Sequence, residues 1–258
     1  AEGGGLLLGT YEKACVPWSV KETPWAFGSQ LLAPDLDRLT PSFEVSFAHF
    51  PIFNEVGIKQ VINGPFTFAP DGNPLIGPVR GQKGHWVACG IMAGLSQGEG
   101  VGLAMANWMT TGDPGFDIWG MDVARYGDWT TPGYTQQKVM ENYGRRFQIS
   151  FPNEELPAGR PLYTSPIHER LTEENAVWGA SYGLESALWF QEKGKEPIED
   201  VTFKRSNAFD LVGEEVRAVR EKVGLMETTG FAKHEFSGSG AREFLDKLVT
   251  NRVPSAGR

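Results

Sequence analysis

The sequence predicts a mixed fold, α/β and α+β, in two parts joined by a connector, and three observations carry that expectation. A short apolar run, Trp86 to Cys89, leads through a glycine-rich stretch into Val101 to Met109, whose Ala and Leu content favours helix, so the order is strand, loop, helix. Two stretches then break the pattern: Thr110 to Thr135, rich in Gly, Pro, Asp and aromatics, and Phe151 to Pro166, with four prolines. Beyond them apolar faces return with their own periodicity, as they do in a separately folding unit.

Taken in order, residues 1 to 20 read as a strand pair or a strand and loop around Leu6-Leu7-Leu8. Phe43, Phe47 and Phe50 recur at i, i+4 and i+7, which gives an amphipathic helix ending before Pro51. Ile58 to Val79 reads as a strand, a turn at Asn63-Gly64-Pro65, a short strand through Phe68, a turn at Asp71-Gly72 and another strand, the Pro-Asp-Gly turn being a hairpin signal. The continuous run Trp86 to Cys89, stopped by Gly90, reads as a strand buried on both faces. A helix is expected to open around Gly98 to Val101, and a polar one over Gln136 to Phe147.

In the second part, Tyr163 to Glu174 leads into an apolar and aromatic stretch, Ala176 to Phe190. Val212, Val216, Val219 and Val223 repeat as one face of a helix. Strands are expected at Gly224 to Glu227 and Phe231 to Phe236, then a turn through Ser237 to Gly240. A last helix follows, with Ala241, Phe244, Leu245, Leu248 and Val249 on one face and Ser239 as candidate N-cap.

At 258 residues and 40% hydrophobic, the chain has room for one large or two smaller cores. A net charge of -8 disfavours nucleic acid and anionic membrane as partners. Two cysteines, Cys15 and Cys89, make no disulfide scaffold, and no Cys/His spacing supports a metal site. No run is long enough to span a bilayer and no signal peptide is visible, so a soluble, intracellular protein is expected, and the chain reads as an internal piece of a longer one.

Candidate chemistry concentrates at the glycines. Gly90, Gly94, Gly98, Gly100 and Gly102 remove side chains where the chain turns, and a helix start offers unpaired amides at its positive end. Such a place suits a phosphate, an electron-rich carbonyl or an anionic ring, and equally suits close packing of a helix on a strand. It is not the dinucleotide fingerprint, since Gly98 opens G-x-G-x-G. Ser96 and Gln97 can bond a ligand or cap the helix, and Glu99 favours the dipole while repelling an anion. His49, His85, His168 and His234 lie far apart and none joins a nucleophile motif, so they read as surface, loop, capping or packing, and strand residues. Asp71 reads as closing an Asx turn, and Trp119, Tyr126 and Trp129 as a packed cover over the connector.

The segments "VINGPFTFAPDGNPLIGP", "WVACGIMAGLSQGEGVGLAMANWM" and "GDPGFDIWGMDVARYG" resemble the end of the flavoprotein half of the dimethylglycine and sarcosine dehydrogenase family. "RPLYTSPIHERL", "NAVWGASYGLESALWF" and the run from Phe203 to Pro254 resemble the start of the tetrahydrofolate-dependent aminomethyltransferase half of the same enzymes. The resemblance implies the C-terminal part of a FAD-dependent oxidoreductase domain over 1–112, a connector over 113–160, and the N-terminal part of an aminomethyltransferase-like, folate-binding domain over 161–258. It implies FAD and tetrahydrofolate as cofactors of the full-length protein. The implied reaction removes a hydride from an N-methyl carbon of dimethylglycine or sarcosine and passes the one-carbon unit to folate; the electron acceptor is left open.

On the same resemblance, Ala93, Gly94, Leu95, Ser96, Gln97 and Gly98 contact the flavin ring, with Gln97 where some relatives carry His and Glu99 where they carry a small residue. No residue of this stretch is assigned to catalysis. The expected location is the cytoplasm, or the mitochondrial matrix in a eukaryote. The competing reading is a folate-binding, aminomethyltransferase-like module without redox activity.

Overall fold

A computed structural model describes residues 3–13 and 15–255. By contacts the chain divides into two compact units, Ala1–Glu215 and Val216–Arg258. Helices and two small antiparallel sheets alternate along it, the mixture of α and β that was expected.

In the first unit, helix α1 (Thr40–His49) ends where Pro51 denies it an amide, as the phenylalanine spacing predicts, with Phe43 and Phe47 stacked at 5.8 Å. Strands β1 (Leu75–Pro78) and β2 (Trp86–Cys89) pair antiparallel, Leu75 opposite Cys89 and Pro78 opposite Trp86. Helix α2 (Gly94–Thr111) packs on β1 and closes on Gly112, whose left-handed φ of 85° lets its amide reach the Trp108 carbonyl at 3.0 Å. Ile76, Val101, Ala104 and Ile118 form the buried centre between sheet and helix, flanked by Ile91, Met105, Trp108 and Met121. Gly77 is required there. Its φ is +116°, and a Cβ would stand 2.7 Å from Trp108 Cζ3.

Helix α3 (Pro132–Gly144) starts on a strong local signal, Thr131 accepting from the Tyr134 amide with Pro132 at the first helical position. The N-terminal segment lies against it: Tyr11 meets Tyr143 and Phe147 at 4.9 Å each, and the Tyr143 hydroxyl donates to Glu12 at 2.8 Å. Helix α4 (His168–Glu173) precedes the hairpin β3 (Ala176–Ser181) and β4 (Leu184–Phe190). Its two-residue turn, Tyr182-Gly183, has positive φ at both positions, the backbone a tight hairpin needs. Helix α5 (Ala208–Glu221) covers the hairpin, burying Val177, Trp189 and Ala208 with Leu211 and Val212 alongside.

The second unit holds the end of α5, an element-free stretch from 222 to 240, and helix α6 (Ala241–Leu248). Phe236 lies 5.8 Å from Phe244, and Arg242 donates to the carbonyls of Val253 and Pro254.

Several expectations fail for one reason: a β-prone run becomes a strand only where a partner offers a ladder. Leu6 to Leu8, Ile58 to Phe68, Gly224 to Glu227 and Phe231 to Phe236 are all without strand structure, so His234 is no strand residue either. The turn at Asp71-Gly72 exists, but β1 pairs forward across residues 79–85 and not back across Asp71. Strand β2 is not buried on both faces; Ala88 and Cys89 are exposed because only two strands pair there. Helix α2 begins at Gly94, not near Gly98, and α3 covers Pro132–Gly144 where Gln136 to Phe147 was expected. Gly240, not Ser239, is the N-cap of α6, with no side-chain capping bond.

Candidate functional site

The six residues singled out from the sequence, Ala93 to Gly98, come together in the first turns of α2. Ala93 is the N-cap and no side chain caps the helix. Its carbonyl accepts from the amides of Ser96 at 3.0 Å and Gln97 at 2.9 Å and from the Ser96 hydroxyl at 3.1 Å, so Ser96 bonds back to its own turn. The amides of Gly94 and Leu95 are those for which helix geometry provides no intrahelical carbonyl. Gly94, Leu95 and Ser96 are exposed, Leu95 fully. Gln97 is half-buried, and its Oε1 is shielded from solvent with no hydrogen-bond partner among the described residues.

A Cβ built at Gly94, Gly98, Gly100 or Gly102 would meet nothing within 4 Å. Each glycine inside a helix costs about 1 kcal/mol relative to Ala. Packing among the described residues therefore does not require them, and what they accomplish is an accessible backbone at the positive end of an 18-residue helix. That is the surface a planar or anionic group needs in order to approach main-chain donors. The stretch is helical throughout, and only Gly90, with φ +64°, acts as a turn glycine ahead of it.

A second feature was not legible in the sequence. In the first unit a cavity of about 350 Å³ lies under the rings of Trp119, Tyr126, Trp129, Tyr134 and Tyr182. The rings do pack on one another, Tyr126 to Trp129 at 5.7 Å and Trp129 to Tyr134 at 5.3 Å, but around a space and not as a closed cover. Asp71 closes its Asx turn by accepting from the Asn73 amide at 3.0 Å. Both of its oxygens also receive Arg125, Nε at 2.8 Å and Nη2 at 2.9 Å. Arg160 forks onto buried Glu185, Nε at 2.9 Å and Nη2 at 2.6 Å, and reaches Glu155 at 3.2 Å. Burial first, and then the Asp71 carboxylate, push the phenols of Tyr126 and Tyr134 up from their ordinary range.

The histidines stay apart from both places. His49 ends α1, His85 precedes β2, and His168 stacks on Trp178 at 4.1 Å as a packing group. Among the described residues no group of three metal-capable side chains occurs, and no helix is long and apolar enough to cross a membrane.

Comparison with known proteins finds two domain types along the chain. Residues 111–165 match the FAD dependent oxidoreductase central domain, and residues 167–258 match the GCVT N-terminal domain. The chain is 34% identical over 99% of its length to mitochondrial dimethylglycine dehydrogenase of Rattus norvegicus, of which it spans 30%. It is 28% identical over 98% of its length to mitochondrial sarcosine dehydrogenase of Homo sapiens, again spanning 30% of that protein. A third relative, 30% identical over 96% of the chain, is the mitochondrial pyruvate dehydrogenase phosphatase regulatory subunit of Mus musculus, 29% of which is covered. The two domain matches follow one another in the order the sequence resemblance implied, and over nearly its whole length the chain is similar to about 30% of the dimethylglycine and sarcosine dehydrogenases.

Proposed function

We propose that this chain is the part of a FAD-dependent oxidoreductase that holds the flavin's ring end and leads into a folate-binding domain. The full protein removes a methyl group oxidatively from dimethylglycine or sarcosine and delivers the one-carbon unit to tetrahydrofolate. The observation that carries this reading is the succession, in one chain, of an oxidoreductase central domain and a GCVT N-terminal domain. In a eukaryote the protein works in the mitochondrial matrix, a reading supported by the word mitochondrial in the names of its dehydrogenase relatives.

The residues at the start of α2 suit a flavin by their chemistry. Gly94 and Gly98 leave the backbone open, the Gly94 and Leu95 amides point to no intrahelical acceptor, and Gln97 brings an unpartnered amide oxygen. FAD, when bound, supplies the acceptor for a hydride from the N-methyl carbon. The chain's own part is to orient the ring through main-chain donors and to stabilise negative charge on it with the positive end of α2. Glu99, exposed one turn in, limits how far an anionic group extends along the helix. The division into 1–112, 113–160 and 161–258 is kept as a proposal, with the connector 113–160 assigned to the oxidoreductase part because it falls within the match to the FAD dependent oxidoreductase central domain.

The test uses the full-length protein. We expect a yellow protein whose flavin absorbance bleaches with dimethylglycine or sarcosine, and formation of methylenetetrahydrofolate when tetrahydrofolate is present. A colourless protein that binds folate but bleaches with neither amine sinks the redox reading. It would favour the second one, a folate-binding module without redox activity; one relative of this chain is named as a regulatory subunit and not as a dehydrogenase.

A further inference from the structure

Two dipeptides of this chain have the chemistry for attack of a backbone nitrogen on the side chain before it: Asn63-Gly64 and Asp71-Gly72, the single Asn-Gly and the single Asp-Gly of the sequence. In each, the glycine has no Cβ to hinder its nitrogen, and a five-membered succinimide ring closes when that nitrogen reaches the side-chain carbonyl carbon. Asn73 is barred from the same reaction, since Pro74 has no N–H to give up. The fold treats the two glycine pairs oppositely.

At Asp71 the reacting groups are all held. The Gly72 nitrogen donates to the Ala69 carbonyl at 3.0 Å, at a φ of +74°. Arg125 occupies both carboxylate oxygens, at 2.8 and 2.9 Å, and the Asn73 amide donates to Oδ1 at 3.0 Å. A fork of charge-assisted bonds keeps the carboxylate from turning toward the nitrogen. At Asn63 the nucleophile is free. Gly64 is exposed, residues 62–64 belong to no helix or strand, and the Gly64 nitrogen donates to no acceptor among the described residues. The Asn63 side chain is held by one bond, Nδ2 to the Ala33 carbonyl at 2.6 Å. The Asn63 carbonyl accepts from the Leu32 amide at 2.7 Å, so this residue ties the element-free segment 31–33 in place.

We propose that Asn63-Gly64 is a self-modification site, at which loss of ammonia unties segment 31–33. Base removes the Gly64 amide proton, the Gly64 nitrogen bonds to Asn63 Cγ, and the Cγ–Nδ2 bond breaks, Nδ2 leaving as ammonia with a proton taken from water. Water then opens the succinimide at either carbonyl, giving aspartate or isoaspartate. The net change is one water consumed and one ammonia released, with nothing oxidised or reduced. In either product a carboxylate replaces the amide that donated to Ala33. A carboxylate only accepts, so the Ala33 carbonyl loses its donor. In isoaspartate the main chain is also one carbon longer, which displaces the carbonyl that holds the Leu32 amide. The site does not rest on the flavin reading, since none of these atoms belongs to α2.

The experiment incubates the full-length protein in warm, mildly alkaline buffer, native and in urea. Fragmentation mass spectrometry then follows the tryptic peptide Gln60–Arg80, which holds both dipeptides, against a fresh sample. In the native protein a gain of one mass unit at position 63, with isoaspartate there, is expected while Asp71 stays unchanged; in urea Asp71 is expected to isomerise as well. Gly64→Ala is expected to slow the reaction at least ten-fold and to fold normally, because its Cβ would meet only Leu31 Cδ2, at 3.7 Å, and position 64 has no positive φ. Asn63→Asp is expected to speed hydrogen exchange at the Leu32 amide at least ten-fold. The site is overturned by a native position 63 that stays intact after the urea sample has converted. Native isomerisation at Asp71 as fast as conversion at Asn63, or an undiminished rate in Gly64→Ala, overturns it equally. Wild-type exchange at Leu32 in Asn63→Asp overturns the untying.

Discussion

At the residue scale, Gly98 and Asp71 make the sharpest cases. A Cβ at Gly98 meets no described atom, so Gly98→Ala is expected to stabilise α2 by about 0.5–1 kcal/mol. In the full-length protein the same change is expected to weaken FAD retention, as is Gly94→Val by its bulk, since position 94 is helical and carries no positive φ. Thermal unfolding and flavin content after gel filtration measure the two effects, and a variant that gains in both removes the contact assigned to this turn. Asp71→Asn leaves the nearly buried Arg125 side chain without its bidentate carboxylate. A loss of about 1.5–3 kcal/mol is expected from the midpoint of urea unfolding. Tyr126, Tyr134 and Tyr143 have their phenols pushed up by burial, with Asp71 or Glu12 adding to it. An unfolded tyrosine loses its proton near pH 10, below the folded groups, so the unfolded state binds fewer protons above that pH and stability falls as pH rises through it. The slope of stability against pH between about 10 and 11 should shrink in Tyr126→Phe. An unchanged slope would show that this phenol ionises as freely folded as unfolded.

At the scale of elements, the contact of β1 with α2 turns on one missing side chain. Gly77 lets the Trp108 ring lie across the strand, and Gly77→Ala adds a methyl 2.7 Å from that ring at a φ of +116°. Strain and overpacking together are expected to cost about 2–4 kcal/mol. Urea unfolding followed by tryptophan fluorescence checks this, and wild-type stability would mean that Trp108 moves aside freely. The same junction explains how far local reading reaches. Phe43, Phe47 and the proline after them announce α1, and Thr131-Pro132 announces the start of α3 to a reader who weighs caps before apolar spacing. Nothing local announces that β1 pairs forward with β2, because Leu75 to Pro78 matches equally well in either direction.

At the scale of the whole molecule, large apolar side chains lie uncovered in both units. Trp25 and Leu95 are fully exposed in the first, and in the second Leu225 is fully and Met226 largely exposed. No G-x-G-x-x-G occurs in this stretch of sequence. The 258-residue stretch produced alone is therefore expected to purify without FAD, to oxidise neither dimethylglycine nor sarcosine, and to bind an apolar fluorescent dye strongly. Stoichiometric flavin in that preparation would show that its own residues suffice for the cofactor. The polar, proline-rich strip from Pro152 to Arg160 reads from sequence as the protease-sensitive point. The structure ties it down instead: Arg145 to Glu154 at 2.7 Å, Lys138 to the Leu156 carbonyl at 3.1 Å, the Ala158 amide to Glu141 at 2.8 Å, and Arg160 to Glu185. First cleavage is accordingly expected between residues 222 and 240, which form no element and expose Leu225, Met226 and Phe231. Mass mapping of the first fragments decides between the two places.

The sequence alone determined what depends on near neighbours and on whole-segment likeness: a helix carrying Phe43 and Phe47 before Pro51, a helix carrying Val212, Val216 and Val219, the Asx turn at Asp71, and the order of an oxidoreductase part before an aminomethyltransferase-like part. Tertiary structure decided what depends on partners distant in the chain. Asp71 and Arg125 lie 54 residues apart and Arg160 and Glu185 lie 25 apart, so no spacing rule could pair them. Five rings drawn from 119 to 182 enclose a cavity only because the β3–β4 turn brings Tyr182 to Trp119. Runs such as Phe231 to Phe236 stay without strand structure because β-propensity is realised by a partner's hydrogen bonds, and the sequence of one strand does not contain its partner.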